Sequence, residues 1–278
     1  FVANTHSYIL FFTDKGKCYW VKVYDIPEGG RAAKGRAIVN LIGCEPDEKV
    51  SAFISVKEFN DDHYVVMATE KGMVKKTKLS AYSNPRKKGI YAVEIRDGDK
   101  LIEARVSTGD NDILLGTRNG KSIRFSEEQI RASGRKTMGV KGITLSSEDD
   151  RLVGMLLIKR EGTVLVATEK GFGKRTEISQ YRAQKRGGKG VLTMKTTDKV
   201  GKMVTIKEVV DKDDLMIITN QGVLIRLPVA QIRSIGRATQ GVKLIKLGEG
   251  TLVSSITRIM SEEEEDENNN TESTETKE

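Results

Sequence analysis

Five short segments rich in lysine, arginine and glycine recur along the chain, and their residue types suit the binding of phosphate groups. Cationic side chains attract phosphate oxygens, while glycine lets backbone N–H groups approach them closely. Few aromatic residues accompany these charges and no recognition helix is visible, so we predict contact with a phosphate backbone and little readout of base sequence. The segments are EGGRAAKGR (28–36), SNPRKKG (83–89), SGRKTMGVKG (133–142), AQKRGGKG (183–190) and SIGRATQGVK (234–243).

The strongest candidates for phosphate contact lie in the fourth segment. We predict that its cations contact the ligand and that its glycines shape the loop, and we expect Gln184 to order the loop rather than to bind a base. These residues are Lys185, Arg186, Lys189, Gly187, Gly188 and Gly190. A second set lies in the other four segments, and any one of its members could instead be a solvated surface charge: Arg135, Lys136, Lys141, Arg86, Lys87, Lys88, Arg31, Lys34, Arg36, Arg237 and Lys243.

Other chemistry has little support in the sequence. His6 and His63 stand far apart without a matching cysteine or carboxylate pattern, so no metal site is expected. No Ser-His-Asp or Cys-His arrangement and no P-loop motif is visible, so no residue is predicted to be catalytic. Cys18 and Cys44 lack metal-ligand spacing; a disulfide between them is conceivable, but we expect two buried, reduced thiols. Trp20 is expected to pack within a strand.

A repeat of about fifty residues must position the basic segments. An apolar strand runs into a Thr-x-x-Gly turn and a second strand follows, which indicates a β-hairpin because glycine accepts the positive φ of the turn. A second glycine near the end of each basic segment is followed by a third strand (RAIVNLI in the first repeat), an acidic turn and a fourth strand. This pattern predicts an all-β array of four-stranded, propeller-type blades, closed or nearly closed into a disc. The turns are TDKG (13–16), TEKG (69–72), TRNG (117–120), TEKG (168–171) and TNQG (219–222).

The repeats also define the predicted domain organisation. We expect one domain over residues 1–260, with repeats near 1–56, 57–107, 108–158, 159–210 and 211–260, followed by an acidic disordered tail over 261–278. Because the basic segment holds the same place in every repeat, the five copies would emerge at equivalent points of the disc. The sequence therefore predicts a basic rim.

The charge distribution narrows the class of partner. The chain of 278 residues has a formal net charge of +8, but the tail holds nine acids and one lysine, so its charge of −8 leaves +16 on residues 1–260. A folded region that basic predicts a polyanionic partner, with nucleic acid as the leading candidate. A membrane partner is not expected, since no apolar run approaches the ~20 residues of a membrane span and no basic amphipathic helix is visible.

The heptapeptide QKRGGKG (184–190) matches the gyrase A box, Gln-[Arg/Lys]-Arg-Gly-Gly-[Arg/Lys]-Gly. The phrases VANTH (2–6), KKT (75–77), GKRT (173–176) and GRATQGVKLI (236–245) also look like that family. Over residues 1 to about 260 the chain resembles the C-terminal domain of the A subunit of bacterial DNA gyrase, a strand-exchanged propeller called a β-pinwheel. The family usually has six blades and carries its main box upstream of the VANTH-like strand. This chain begins at that strand, so we expect it to be a piece of a longer cytosolic polypeptide.

The resemblance implies a domain that bends duplex DNA around its rim within a type IIA topoisomerase and so supports ATP-dependent negative supercoiling. The cleaving tyrosine, ATP and Mg²⁺ would act in other parts of that enzyme, so no cofactor is expected in this segment. The implied partners are double-stranded DNA and, in a heterotetramer, the rest of the gyrase A subunit together with the B subunit, in the bacterial cytoplasm at the nucleoid. Two alternatives remain open: the equivalent domain of the topoisomerase IV A subunit, which tends to have a degraded box, and a β-propeller scaffold that binds proteins.

Overall fold

The computed structural model describes residues 3–30, 33–35 and 37–259, which form five antiparallel sheets, here blades 1 to 5. The strands of the first half are β1 (Tyr8–Thr13), β2 (Lys17–Lys22), β3 (Val50–Val56), β4 (Tyr64–Thr69), β5 (Met73–Lys78), β6 (Ile90–Tyr91), β7 (Leu101–Ser107), β8 (Asp112–Thr117), β9 (Lys121–Ser126) and β10 (Val140–Lys141). Those of the second half are β11 (Leu152–Ile158), β12 (Thr163–Thr168), β13 (Phe172–Glu177), β14 (Val191–Leu192), β15 (Met203–Val209), β16 (Asp214–Thr219), β17 (Leu224–Pro228), β18 (Val242–Lys243) and β19 (Val253–Ile259). Helical structure in the described residues is confined to α1 (Val39–Ile42) and to 3-10 turns at Val23–Asp25, Leu79–Tyr82, Glu127–Gln129, Ile178–Gln180 and Val229–Gln231.

Each repeat begins with a hairpin whose turn matches the Thr-x-x-Gly pattern. The turn glycines have positive φ, +77° at Gly16 and +83° at Gly120, a conformation that L side chains rarely adopt. A Cβ on Gly16 would also lie 2.3 Å from the carbonyl oxygen of Val93. The threonine helps to close the turn, because the Thr69 hydroxyl accepts a hydrogen bond from the backbone N–H of Met73 at 3.2 Å. The predicted hairpins are confirmed.

The third strand of a repeat does not join its own blade. It pairs with the second strand of the preceding blade: β6 with β2, β10 with β5, β14 with β9 and β18 with β13. These exchanged strands are only two residues long, and they tie each repeat to the one before it. Blade 5 has the three strands β17, β16 and β19, because no later repeat in the described residues supplies a fourth.

The prediction that the segment RAIVNLI of the first repeat forms a strand is wrong. Residues 39–42 of this segment form α1 and end at Gly43 in the left-handed conformation. In the later repeats the equivalent segment becomes a strand by pairing with the blade before it, and the described residues contain no blade before blade 1. Without an edge to pair with, the segment satisfies its backbone within a helical turn.

Apolar side chains fill the spaces between neighbouring blades. Leu10 and Met67 are buried together between blades 1 and 2, and Leu165 and Leu215 between blades 4 and 5. Burial of one such side chain stabilises the fold by about 1.5–3 kcal/mol. The apolar residue ten positions after each turn glycine anchors the following loop: Tyr82, Ile130, Tyr181 and Ile232 are buried, and Ile26 is half-buried.

The inner and outer edges of the array follow from the sheet order. The fourth strands β3, β7, β11, β15 and β19 are each an edge strand of their sheet and pack side by side in that order, so they line the centre. The exchanged strands lie at the opposite edge. The basic segments that precede them are therefore at the outer edge of the array.

The two cysteines, Trp20 and the helices can also be compared with the predictions from the sequence. Cys18 and Cys44 are free thiols; burial raises the pKa of Cys18, whereas Cys44 is only half-buried because it lies in the loop after α1. Trp20 packs against the apolar cluster between blades 1 and 2, as expected. Among the described residues, no helix has both the length and the apolar character to cross a membrane.

Candidate nucleic-acid interface

Each of the later basic segments crosses closely over the second strand of the preceding blade. Gly139 has a φ of +79°, and a Cβ there would lie 2.3 Å from the carbonyl oxygen of Val74. Gly190 has a φ of +68°, and a Cβ there would lie 2.3 Å from the carbonyl oxygen of Ser122. No other residue type fits either position without a shift of the backbone. These contacts fix the flanking cations at the outer edge.

The box, residues 184–190, is held against blade 3 by backbone hydrogen bonds. The N–H of Gln184 donates to the carbonyl of Arg124 at 2.8 Å, and the N–H of Gly187 donates to the carbonyl of Gly142 at 2.6 Å. The hydroxyl of Thr144 donates to the carbonyl of Gly187 at 2.6 Å. The segment 142–144 of the preceding repeat therefore sets the shape of the box.

Arg186 combines a candidate binding role with a structural one. Its backbone N–H donates to Oε1 of Gln129 at 2.9 Å, and its Nε donates to the backbone carbonyl of Gln129 at 3.0 Å. Nε2 of Gln129 donates in turn to the backbone carbonyl of Gln184 at 3.3 Å. Gln129 was not among the residues predicted from the sequence, because a glutamine in a polar turn carries no distinguishing signal. Gln184 is thus ordered through its backbone, while its side-chain Nε2 is buried without a hydrogen-bond partner among the described residues.

In three of the loops, one arginine donates a hydrogen bond to the repeat before it. In each case the acceptor is the backbone carbonyl of the second residue of the preceding exchanged strand. A guanidinium has five N–H groups, so each arginine keeps donors for an anionic ligand. The pairs are Arg135 Nη1 to Tyr91 at 3.5 Å, Arg186 Nη1 to Lys141 at 3.1 Å and Arg237 Nη1 to Leu192 at 3.1 Å.

Backbone hydrogen bonds join the same loops. The residue that follows β6, β10 and β14 by three positions donates its N–H in each case to a carbonyl in the loop of the next repeat. Together with the arginine bonds, these contacts connect the loops of repeats 2 to 5 in an unbroken series along the outer edge. The pairs are Glu94 to Thr137 at 3.1 Å, Thr144 to Gly188 at 2.9 Å and Lys195 to Thr239 at 2.9 Å.

The cations of these loops lack internal counterions. Elsewhere in the fold, several basic side chains are paired, as Lys17 is with Glu48 at 2.9 Å and Arg160 with Asp213 at 3.0 Å. In the described part of the chain, none of the candidate phosphate-binding residues makes an ion pair with a carboxylate. Most are exposed: Lys34 in the first repeat, and at the outer edge Arg86, Lys87, Lys88, Lys136, Lys141, Lys185, Lys189 and Lys243. Their charge is therefore uncompensated in the fold and available to an anionic ligand.

The structure brings together the loops of repeats 2 to 5 but not that of the first repeat. Arg31 and Arg36 lie outside the described residues, as does the tail over residues 261–278. Lys34 is exposed, and its loop leads into α1 instead of crossing a preceding blade. Within the described ranges, no group of three His, Cys, Asp or Glu side chains could hold a metal ion.

Two buried lysines beneath the loops were not predicted as site residues. Lys75 on β5 and Lys174 on β13 are 1% and 0% exposed. Burial, and then the charge of Arg135, lowers the pKa of Lys75 to about 7; burial and the charge of Arg237 lower that of Lys174 to about 8. The phrases KKT and GKRT contain both lysines. No local sequence signal marks them, because each lysine stands in a basic strand and only the fold shows that its side chain faces inward.

Sheet order, strand exchange and the basic outer edge define a strand-exchanged β-propeller. Residues 7–57, 63–108, 111–159, 162–209 and 213–259 match the family described as DNA gyrase C-terminal domain, beta-propeller. The chain belongs to this family.

Individual relatives agree with that assignment. The DNA gyrase A subunit of Staphylococcus epidermidis is 45% identical over 263 residues, which cover 94% of this chain and 29% of the relative. The chain thus spans under a third of the curated relative's length. The crystal structure of the C-terminal domain of DNA topoisomerase IV is 26% identical with a TM-score of 0.85, covering 93% of this chain and 81% of that one. The structure of a DNA gyrase A C-terminal domain, at 23% identity and a TM-score of 0.81 over 93% of this chain and 84% of that one, shows the shared fold.

Proposed function

We propose that the outer edge binds duplex DNA through its phosphate backbone and bends it along the loops of repeats 2 to 5. The observation that carries this proposal is the series of connected loops whose cations have no counterion in the described part of the chain. Glycines at the close crossings and few aromatic side chains favour contact with phosphates over base stacking.

The family membership extends the proposal to the parent protein. We infer that this segment acts within a gyrase A subunit, in the cytoplasm at the nucleoid, together with the rest of that polypeptide and with the gyrase B subunit. Bent DNA presented by this segment would support ATP-dependent negative supercoiling by the assembled enzyme, with ATP and Mg²⁺ used by its other parts.

Two alternatives receive less support. The intact box and the 45% identity to a gyrase A subunit favour gyrase over topoisomerase IV. A protein-binding scaffold would need apolar patches on the faces of the array. In the described residues, exposed apolar residues adjacent in sequence occur at Ile38 and Val39 and at Val223 and Leu224. Within the described part of the chain, the first pair lies at α1, in the repeat that supplies no exchanged strand, and the second lies at β17, which receives none.

A ligation assay tests DNA bending in this chain. Nicked circular DNA is sealed with the protein bound, the protein is removed, and the change in linking number is counted. We expect the unmodified chain to leave a change of consistent sign, and a variant with Lys136, Lys185 and Lys189 changed to Ala to leave a much smaller one. These side chains are exposed and make no ion pair within the described residues, so their loss should have little effect on stability.

The matched control removes the same charge elsewhere. Lys49, Lys100 and Lys199 are exposed lysines in turns outside the basic segments, and a variant with all three changed to Ala should retain the unmodified linking-number change. If the two variants behave alike, the DNA does not follow the outer edge.

A further inference from the structure

Two lysines occupy the same place in alternate blades and are buried beneath a basic loop. Lys75 and Lys174 each lie three residues after the turn glycine of their hairpin. Removal of an ammonium group from water is costly unless the protein supplies hydrogen bonds or a counterion. Within the described residues neither ammonium has a carboxylate at ion-pair distance, so backbone groups must compensate for the lost water.

The compensating groups come mainly from the loop of the next repeat. Lys75 Nζ donates to the carbonyls of Ala92, at 2.7 Å, and of Arg135. Lys174 Nζ donates to the carbonyls of Gly236, at 2.6 Å, and of Arg237, and to a threonine hydroxyl at 3.1 Å. Each ammonium therefore holds the backbone of the loop at the residue that carries the guanidinium.

The two loops share a sequence pattern that the other loops lack. Both contain Gly-Arg-x-Thr-x-Gly-Val-Lys, at 134–141 and 236–243. In both, the threonine hydroxyl donates to the carbonyl of the first glycine at 3.0 Å. Beneath the box the equivalent strand residue is Ile123, and beneath residues 83–89 it is Tyr19, whose hydroxyl donates to Glu48. A buried lysine thus accompanies this one loop type.

We propose that Lys75 and Lys174 are positioning residues of the DNA interface, each holding the Gly-Arg-x-Thr loop of the next blade in the shape that presents its cations to phosphates. This inference rests on the proposed function. The arginine whose carbonyl each ammonium holds also donates its guanidinium to the preceding exchanged strand, so release of the carbonyl would loosen the backbone on which that guanidinium is mounted.

The two buried ammonium groups differ from exposed lysines in the pH range over which they titrate. The pKa of Lys75 is about 7 and that of Lys174 about 8, so both groups lose a proton near neutral pH, where exposed lysines stay charged.

The charged groups around Lys75 lie on neighbouring loops and on its own strand, whereas the charged group that acts on Lys174 lies on the loop of the next repeat. Arg135 lowers and Glu94 raises the pKa of Lys75, while Arg237 lowers the pKa of Lys174. The cavity beside Lys75 is also lined by Lys76, Arg131 and Lys136.

Bound phosphates would neutralise Arg135 and Arg237 and so favour the protonated lysines. By linkage, DNA binding should then take up protons at about neutral pH, and affinity should fall as pH rises. A neutral amine has fewer N–H donors than an ammonium group and holds the carbonyls less strongly.

The test measures the affinity of the 278-residue chain for one duplex at about pH 6.5, 7.5 and 8.5 and at fixed salt. We expect the affinity of the unmodified chain to fall about fivefold or more from the lowest to the highest pH, which is the lower end of couplings typical of linked sites. A variant with Lys75→Gln and Lys174→Gln keeps neutral N–H donors and should show a flat profile. Lys49→Gln with Lys199→Gln is the control and should keep the unmodified profile. All three proteins retain His6 and His63, so a difference between them excludes the histidines as its cause.

Parallel profiles for the unmodified chain and the Lys75→Gln, Lys174→Gln variant would overturn the inference. DNA binding that remained salt-dependent in that result would leave the proposed function standing, whereas absence of such binding at every pH would refute the proposed function itself. If the variant fails to fold, calorimetry of the unmodified chain in buffers of different ionisation enthalpy decides. Proton uptake on DNA binding near neutral pH supports the positioning role, and zero uptake overturns it.

Discussion

Salt dependence offers a quantitative test of how many loop cations contact DNA. Each neutralised phosphate contributes about −0.9 to the slope of log K against log salt, so ~6–10 contacts predict a loss of about 10³–10⁵ in affinity between 50 and 200 mM salt. Twelve candidate cations lie in the described loops, of which nine are exposed and three are arginines held in part by backbone carbonyls. That number is sufficient for the predicted contacts even if some cations remain solvated.

Removal of three contacts should be visible in the slope. With Lys136, Lys185 and Lys189 changed to Ala, the slope should become less steep by about 2.7, so that the loss between 50 and 200 mM shrinks about 40-fold. Fluorescence anisotropy with one labelled duplex over a series of salt concentrations measures both slopes. The Lys49, Lys100, Lys199 variant controls for net charge and should keep the unmodified slope.

Two results would refute this reasoning. An unchanged slope in the Lys136, Lys185, Lys189 variant would mean that these exposed lysines are solvated charges. A strong preference for one base sequence over another would mean that base edges, rather than phosphates, supply the affinity.

Three further predictions test the loops, the buried lysines and the tail. Gly190→Ala should lower the melting temperature and weaken DNA binding, because its φ is positive and its Cβ would meet a carbonyl at 2.3 Å, whereas Gly134→Ala, in open space, should do neither. Because the folded-state pKa values of Lys75 and Lys174 lie below the unfolded value of about 10.5, the unfolded chain binds more protons between about pH 7 and 10. Stability measured by denaturant titration should therefore rise with pH over that range, and less so after both lysines are changed to Gln. Removal of residues 261–278 should tighten DNA binding at low salt and steepen its salt dependence, since a tethered acidic segment competes for the basic edge; coincident titration curves would exclude that competition.

Much of the fold could be predicted because each repeat carries its own local signals. The Thr-x-x-Gly turn specifies a hairpin through the φ of glycine and the hydroxyl of threonine, and both act within one short turn. The segment RAIVNLI shows the limit of such reasoning. Its composition suits a strand, but a strand also needs an edge to pair with, and that edge belongs to another blade.

The site could be predicted in its charges but not in its contacts. Position in the repeat was enough to place Lys136, Lys141, Lys185 and Lys189 on one edge. The hydrogen bonds of Arg186 depend on Gln129, 57 residues earlier, and no local pattern records that distance. Lys75 and Lys174 could not be predicted as site residues either, because a lysine in a basic sequence is ordinary until its side chain is found inside the fold.

Because the loops are connected and ordered, we expect the DNA, and not the protein, to change shape on binding. Smooth bending of a 20–30 bp duplex by 40–90° costs of order 1–6 kcal/mol, and a flexible array of cations would move to a straight duplex instead. Here glycine crossings and arginine-to-carbonyl bonds fix the backbone of successive loops, and buried ammonium groups hold two of these loops as well. The exposed lysine side chains of the loops remain able to reach phosphates. Because the backbone is already ordered, little conformational entropy is lost on binding and more of the phosphate attraction remains to offset the bend. Mutations that loosen the loops should therefore reduce bending before they reduce binding.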